Sequence, residues 1–166
     1  MCKIDLTKKL NRYEEYHTKC ATKVTHFIGI PLVIFAIMTL ASWIHIRVPG
    51  FFDISLLWIF SITVLVFYYF MDVMLAAVVT VMFLVFALII SLVLKEAPSW
   101  LNLQVFLYTF IIGLVLQLVG HFIETKKLSL GKDYMLVLIA PLFLAAELMS
   151  YFGLRKKVSK SNADEH

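Results

Sequence analysis

Charged residues are scarce in this chain of 166 residues, where they make up 16% of the sequence, against about 25% in soluble domains. Hydrophobic residues make up 61%, against about 45–50% in soluble domains. A soluble fold of this length could not bury so much apolar surface, so the composition excludes an ordinary soluble protein and predicts one that is embedded in lipid. It also excludes disordered and collagen-like chains, and we expect no nucleic-acid partner.

Cysteine is nearly absent, and the familiar catalytic motifs are absent altogether. Cys2 and Cys20 are the two cysteines, and their spacing suits neither a disulfide framework nor a zinc motif, so we expect free thiols in a reducing compartment. No P-loop, GxSxG, HExxH or dinucleotide-binding fingerprint occurs. The first apolar run begins near Val24 and is too long for the core of a signal peptide.

Long apolar runs dominate the rest of the chain. Each has roughly the 20 residues that a bilayer-spanning helix needs; they cover 27–46, 54–71, 73–94, 101–120 and 134–154, with a tight turn at Asp72 between the second and third. Before them, apolar and aromatic residues at spacings of three and four predict an amphipathic helix over 4–23. The predicted fold is an all-α polytopic membrane bundle, with this N-terminal amphipathic helix and four to five transmembrane helices. We expect one domain over 1–157 and a disordered tail over 158–166.

Basic residues indicate the orientation of the bundle. If every run crosses the membrane, the basic N-terminus and the basic 122–132 loop share one face, which is then cytoplasmic. The basic residues that follow Leu154 would fall on the opposite face. This conflict disappears if the fifth run, which carries Pro141 and Glu147, dips into the membrane or lies in its surface, and we favour that interpretation. The protein should be integral to the endoplasmic reticulum membrane in a eukaryote or to the inner membrane in a bacterium.

Histidines are the candidate functional residues. On this topology His17, His26 and His121 come to the same membrane face, whereas His45 lies at the far end of the first run. Gln117 and Glu124 share a helix face with His121, because they lie at i−4 and i+3. Histidines together with a carboxylate suit a divalent transition metal such as non-haem iron. Hydrogen-bonded interfacial histidines without a metal are the other interpretation, and the residues alone leave both open.

The spacing of His17 and His26 sets a geometric condition. Nine residues on one straight helix would place them on opposite faces, roughly 13 Å apart along the axis. Both can bind one ion only if the helix is interrupted between them, and Thr22 or Thr25 could cap a new helix there. Tyr13, at i−4 to His17, would either orient that imidazole or serve as an interfacial aromatic residue.

Two motifs resemble those of a known family. Tyr13-x3-His17-x8-His26-x2-Gly-Ile-Pro resembles the opening motif of a small membrane family whose best-understood branch is the iron-dependent 2-hydroxy fatty acid dioxygenases. Gln117-x2-Gly-His121 followed by Glu124 resembles its second motif, and the resemblance extends over about 10–152. Thr22 stands where the family often has Asn, and no proline follows the basic stretch after Glu124. These departures leave the candidate ligands intact.

The resemblance implies Fe2+ held by His17, His26 and His121. Glu124 would be a further ligand or would contact one of these ligands without binding the ion. It implies that O2 is used to shorten a 2-hydroxy fatty acid by one carbon, with the acyl chain in the bilayer. A nearby cation, Lys126, Lys127 or Arg12, would attract the substrate carboxylate. The alternative function is a non-catalytic polytopic membrane protein, either a transporter or a scaffold.

Overall fold

The computed structural model describes residues 20–48, 52–94, 98–124 and 134–153. In chain order its elements are α1 (Cys20–Ser42), β1 (His45–Val48), β2 (Phe52–Ser55), α2 (Leu56–Met71), α3 (Val73–Ile89) with a π-helical turn (Ile90–Leu94), α4 (Trp100–Glu124) and α5 (Tyr134–Tyr151). The described chain is therefore mostly helical, as predicted. The predicted amphipathic helix over 4–23 and the tail over 158–166 lie mostly or wholly outside the described residues, and both stay predictions.

Three of the described helices are long and apolar enough to cross a membrane: Thr22–Ser42, Val73–Leu94 and Trp100–Gly120. These correspond to the first, third and fourth predicted runs. Two further apolar helices are shorter, over Leu56–Met71 and Ile139–Tyr151. The 16 residues of α2 extend about 24 Å at 1.5 Å per residue, less than the ~30 Å of a hydrocarbon core. The structure thus supports a membrane protein but not the full predicted count of four to five spans.

A small β-hairpin between α1 and α2 departs from the all-α prediction. β1 and β2 are antiparallel, with His45 opposite Ser55 and Arg47 opposite Asp53. The last residues of the first predicted run and the first residues of the second form strands instead of helix. α1 therefore ends at Ser42 rather than at position 46. Pro49-Gly50 between the strands is a typical turn signal in the sequence.

The N-terminal half of α1 corrects the predicted caps. Thr22 and Thr25 lie inside a helix that is continuous from Cys20, so neither begins a new one. The Thr25 hydroxyl donates to the Thr22 carbonyl at 2.9 Å, a local bond that Thr makes within helices. The predicted interruption between His17 and His26 therefore does not fall within α1, and the part of that interval before Cys20 lies outside the described residues.

The predicted tight turn at Asp72 is confirmed. Asp72 is extended, with φ −159° and ψ 114°, and it is the single residue between α2 and α3. Its carboxylate accepts from the backbone N–H groups of Met74 at 3.0 Å and Leu75 at 3.2 Å. These two donors have no partner within the first turn of a helix, so the side chain satisfies them and fixes the start of α3.

α1 lies at the centre of the bundle, and α4 packs against it in the opposite direction. Thr22 contacts Gly120 near one end of the pair, and the rings of Trp43 and Phe106 meet edge to face at 5.8 Å near the other. Glycines let the two backbones approach midway, because a Cβ on Gly113 would lie 3.1 Å from the Gly29 carbonyl oxygen. Small residues in such contacts are typical of packing between membrane helices.

α5 also runs broadly antiparallel to α1, in the same direction as α4. Glu147 near its C-terminal end bonds Lys23 near the start of α1, whereas Ala140, two turns earlier, packs with Ile30, deeper along α1. A fifth run that simply crossed after α4 would show the reverse order of contacts. The C-terminal end of α5 thus lies near the His26 end of α1. The favoured interpretation, that the fifth run dips into the membrane or lies in its surface, stays a prediction.

The largest buried cluster joins α2, α3 and α5 to the inner face of α1. Its fully buried members (0% exposed) include Met38 from α1, Leu57 from α2, Leu75 from α3 and Leu142 from α5. Aromatic contact adds to it, since the rings of Phe35 and Phe86 meet edge to face at 5.3 Å. This core packs α1 against α2, α3 and α5, and α4 packs against α1 through its glycines, so contacts between helices position the start of α1.

Candidate functional site

His26 is the predicted ligand whose side chain the structure describes. It lies on α1 and is only 6% exposed, and its Nδ1 is 3.0 Å from the carbonyl oxygen of Thr22, one helical turn earlier. A carbonyl oxygen only accepts, so Nδ1 carries the hydrogen in this bond. In the neutral ring the lone pair is then on Nε2. Histidines that bind metals are commonly oriented by such a bond from the second ring nitrogen.

A glycine on α4 provides the space for this imidazole. A Cβ on Gly120 would lie 2.6 Å from both Nδ1 and Cε1 of His26, and 2.5 Å from the Thr25 hydroxyl oxygen. Any larger residue would collide with the ring, so the imidazole lies directly against the backbone of α4. The Thr22 hydroxyl donates to the Gly120 carbonyl oxygen at 3.3 Å and ties the two helices together at this level.

The second family-like motif lies against His26, the histidine of the first motif that the structure describes. His121 follows Gly120 directly in α4, so its backbone lies beside the His26 imidazole. Gln117, one turn earlier, faces α1, because its Cγ is 3.1 Å from the Cβ position of Gly29. Glu124 is the last residue of α4. The structure thus brings the backbone of the predicted His121 and Glu124 positions to the His26 end of α1, and describes neither side chain.

The remaining predicted site residues cannot be placed. His17, Tyr13, Lys126 and Lys127 all lie outside the described residues. Over residues 20–48, 52–94, 98–124 and 134–153, no group of three His, Cys, Asp or Glu side chains could hold a metal ion. His26 is one of four predicted ligands, so the metal site stays a prediction. The chemistry of the donor that is described, a buried and oriented imidazole, fits an iron ligand.

An ion pair close to His26 was not predicted. The Lys23 ammonium nitrogen is 2.8 Å from Glu147 Oε1, and the two side chains are 23% and 30% exposed. The pair joins the start of α1 to α5, one turn of helix from His26. The sequence indicated that Glu147 needs a partner, because an acidic residue within an apolar run is costly unless it is paired. Nothing in the sequence indicated which cation would supply it.

His45 lies at the opposite end of α1, separated from His26 by about 24 Å of helix. Its Nδ1 is 3.1 Å from Asp53 Oδ1, and Arg47 Nε donates to Asp53 Oδ2 at 2.9 Å. The hydrogen bond from His45, together with that from Arg47, holds the pKa of Asp53 below its usual value. This polar cluster is exposed on the hairpin and belongs to a different environment from His26.

Comparison with known proteins identifies the family. A family model described as 2-hydroxy-palmitic acid dioxygenase Mpo1-like matches residues 4–152, and the chain belongs to this Mpo1-like family. The resemblance drawn from the two motifs is therefore confirmed, and the family's name suggests a 2-hydroxy fatty acid dioxygenase. Searches of curated proteins and of solved structures returned no match.

Proposed function

We propose that this member of the Mpo1-like family is a membrane-embedded, Fe2+-dependent dioxygenase that shortens 2-hydroxy fatty acids by one carbon, using O2. The observation that carries the proposal is the buried His26, oriented by its bond to the Thr22 carbonyl and packed against Gly120 beside His121. The family match over 4–152 supports the class of reaction.

The residues proposed to hold Fe2+ are His17, His26 and His121, with Glu124 as a further ligand or a group that orients one. When bound, the ion would supply the redox chemistry for reaction with O2 and a positive centre for the substrate's carboxylate and 2-hydroxyl. The chain's own contribution is orientation: the Thr22 carbonyl fixes the His26 ring. Gln117 faces α1 one turn before His121, where it can hydrogen-bond a ligand or the substrate. Tyr13 would orient His17.

The location suits a lipid substrate. Three long apolar helices are compatible with a membrane protein, and His26 lies near the end of one of them. A fatty acid in the bilayer could present its carboxyl group at this end while its acyl chain stays among the helices and lipids. We place this end on the cytoplasmic face, where Lys126 and Lys127 would attract the carboxylate.

The test uses the full chain purified in detergent. Iron is loaded as Fe2+ without air, bound metal is measured, and 2-hydroxyhexadecanoic acid is then added with O2. We expect one bound iron per chain, O2 consumption and a product one carbon shorter, detected by mass spectrometry. Hexadecanoic acid, which lacks the 2-hydroxyl, is the matched control and should not react. Removal of iron with a chelator should stop the reaction.

Two outcomes would overturn the proposal. Full turnover after iron removal would exclude iron chemistry. No bound metal and no turnover would favour the alternative, a non-catalytic polytopic membrane protein.

A further inference from the structure

Lys23 and Glu147 form a charged pair where the helices are otherwise apolar. Their nitrogen–oxygen distance is 2.8 Å, and both side chains are less than one third exposed. Partial burial of charges costs hydration free energy that their mutual attraction often fails to recover, so such a pair is weak evidence for a role in stability. Ionisable groups within apolar helices more often mark a substrate or ion site.

The pair lies beside the proposed iron ligand. Lys23 precedes His26 by three residues, and side chains at this spacing are neighbours on a helix surface. Among the residues that the structure describes, Lys23 and Arg47 carry the cationic side chains, and Arg47 lies on the hairpin at the far end of α1. Lys23 is therefore the described cation that can reach a carboxylate held near His26.

Among the described residues, those that follow Lys23 along α1 include exposed apolar side chains. Val24, Phe27 and Ile28 are 52%, 41% and 49% exposed, and Phe27 follows Lys23 by one helical turn. A charged group at the end of a span, with exposed apolar side chains next to it along the helix, matches the shape of a fatty acid: a carboxylate head and an acyl chain directed into the bilayer.

We propose that Lys23 binds the carboxylate of the fatty acid substrate, and that Glu147 is its resident counter-ion, with which the substrate carboxylate competes. The choice of ligand rests on the proposed function. An ammonium group has three donors, so Lys23 can turn from Glu147 to a substrate without leaving its place on α1. Glu147 keeps the cation neutralised when no substrate is present.

The test uses variants that break the same ion pair from opposite sides. Lys23→Met and Glu147→Gln both abolish the pair, so a merely structural role would make them behave alike. Binding of a spin-labelled fatty acid and of its methyl ester is measured on the metal-free full chain in nanodiscs of neutral lipid, at a pH at which the acid is ionised. The chain should prefer the acid over the ester.

We expect opposite effects from the two variants. Lys23→Met should weaken binding of the acid on the order of tenfold, as for loss of a charge-assisted hydrogen bond, and leave the ester unaffected. Glu147→Gln should tighten binding of the acid, because the competing carboxylate is gone. Lys23→Arg should restore most of the preference. With iron loaded, Lys23→Met should raise KM for the 2-hydroxy acid while kcat changes little.

Equal weakening by both variants would overturn the inference and assign the pair a structural role. Unchanged acid binding in Lys23→Met would overturn it as well. Because binding is measured without metal, a preference for the acid that depends on Lys23, in a chain that shows no turnover, would sustain this inference while the proposed dioxygenase activity failed.

Discussion

The two ends of α1 each carry a histidine, and the two differ in almost every physical respect. His26 is buried, bonds a backbone carbonyl of its own helix and lies against a glycine of α4. His45 is exposed, lies on a hairpin and bonds the side chain of Asp53. A helix backbone carbonyl holds a buried ring more firmly than an exposed carboxylate holds an exposed one. Water and salt weaken the interaction of an imidazole with an exposed carboxylate. Residue type therefore says little about function here until the environment of each histidine is known.

The largest effect is expected when each histidine is replaced in turn. His26→Ala should abolish iron binding and turnover of a 2-hydroxy fatty acid, as should replacement of His17 or His121, because three imidazoles are proposed to share one ion. His45→Ala, the matched control, should retain both. Bound iron per chain and product formation are the measurements. An iron content that is unchanged in His26→Ala would remove that residue from the metal site.

A smaller but still large effect is expected from Gly120→Ala. The added Cβ would lie 2.5–2.6 Å from Thr25 and His26 atoms, so α1 and α4 must separate or the imidazole must turn. Overpacking of this kind costs about 1–3 kcal/mol. We expect a lower thermal unfolding temperature and weaker iron binding. Leu118→Ala, on the same helix at a position that is 54% exposed, should change neither; equal behaviour of the two variants would contradict the close packing at Gly120.

Part of the fold and the location of the candidate site could be predicted from the sequence. Apolar run lengths located α3 and α4 closely, because a bilayer-spanning helix demands a minimum length of uncharged residues. The motif Gln117-x2-Gly-His121 lies on the part of α4 that packs against His26, and its role in a metal site stays a prediction. The sequence analysis did not predict that Gly120 makes room for the His26 ring. Small residues such as Gly29, Gly113 and Gly120 are typical of close packing between membrane helices.

Other features depend on tertiary contacts that no local pattern encodes. The hairpin was missed because Ile54 and its neighbours read equally well as the start of a membrane span. The direction of α5 and the Lys23–Glu147 pair depend on which helices meet, information that is absent from any one segment. Thr22 and Thr25 were considered as caps, since Thr favours helix starts, but both lie within α1, where they contact Gly120 of α4.

A smaller effect is expected from the hydrogen bond between the Thr22 hydroxyl and α4, at the His26 end of α1. Thr22→Val keeps the shape of the side chain but removes the donor to the Gly120 carbonyl oxygen. We expect a loss of about 1 kcal/mol, as for other hydrogen bonds between membrane helices, with iron affinity slightly reduced. Thr39→Val is the matched control, because that buried hydroxyl donates to the carbonyl oxygen of Phe35 within the same helix. A larger loss in Thr39→Val would contradict an interhelical role for Thr22.

The smallest effect is expected at the His45 end of α1, where the stability of the hairpin depends on the ionisation of Asp53. The bonds from His45 and Arg47 lower the pKa of Asp53 from its ordinary value of 3.8. A carboxyl group with a lowered folded-state pKa stabilises the hairpin above its unfolded-state pKa, and this contribution is lost as the pH falls through the folded value. The contribution is therefore complete at neutral pH and disappears only in acid. Titration of the Asp53 carboxyl followed by NMR should give a midpoint below 3.8, and His45→Ala should move it upward. A midpoint that does not move in His45→Ala would show that the His45 bond is not what lowers the pKa, and iron binding at the other end of α1 should be indifferent to either result.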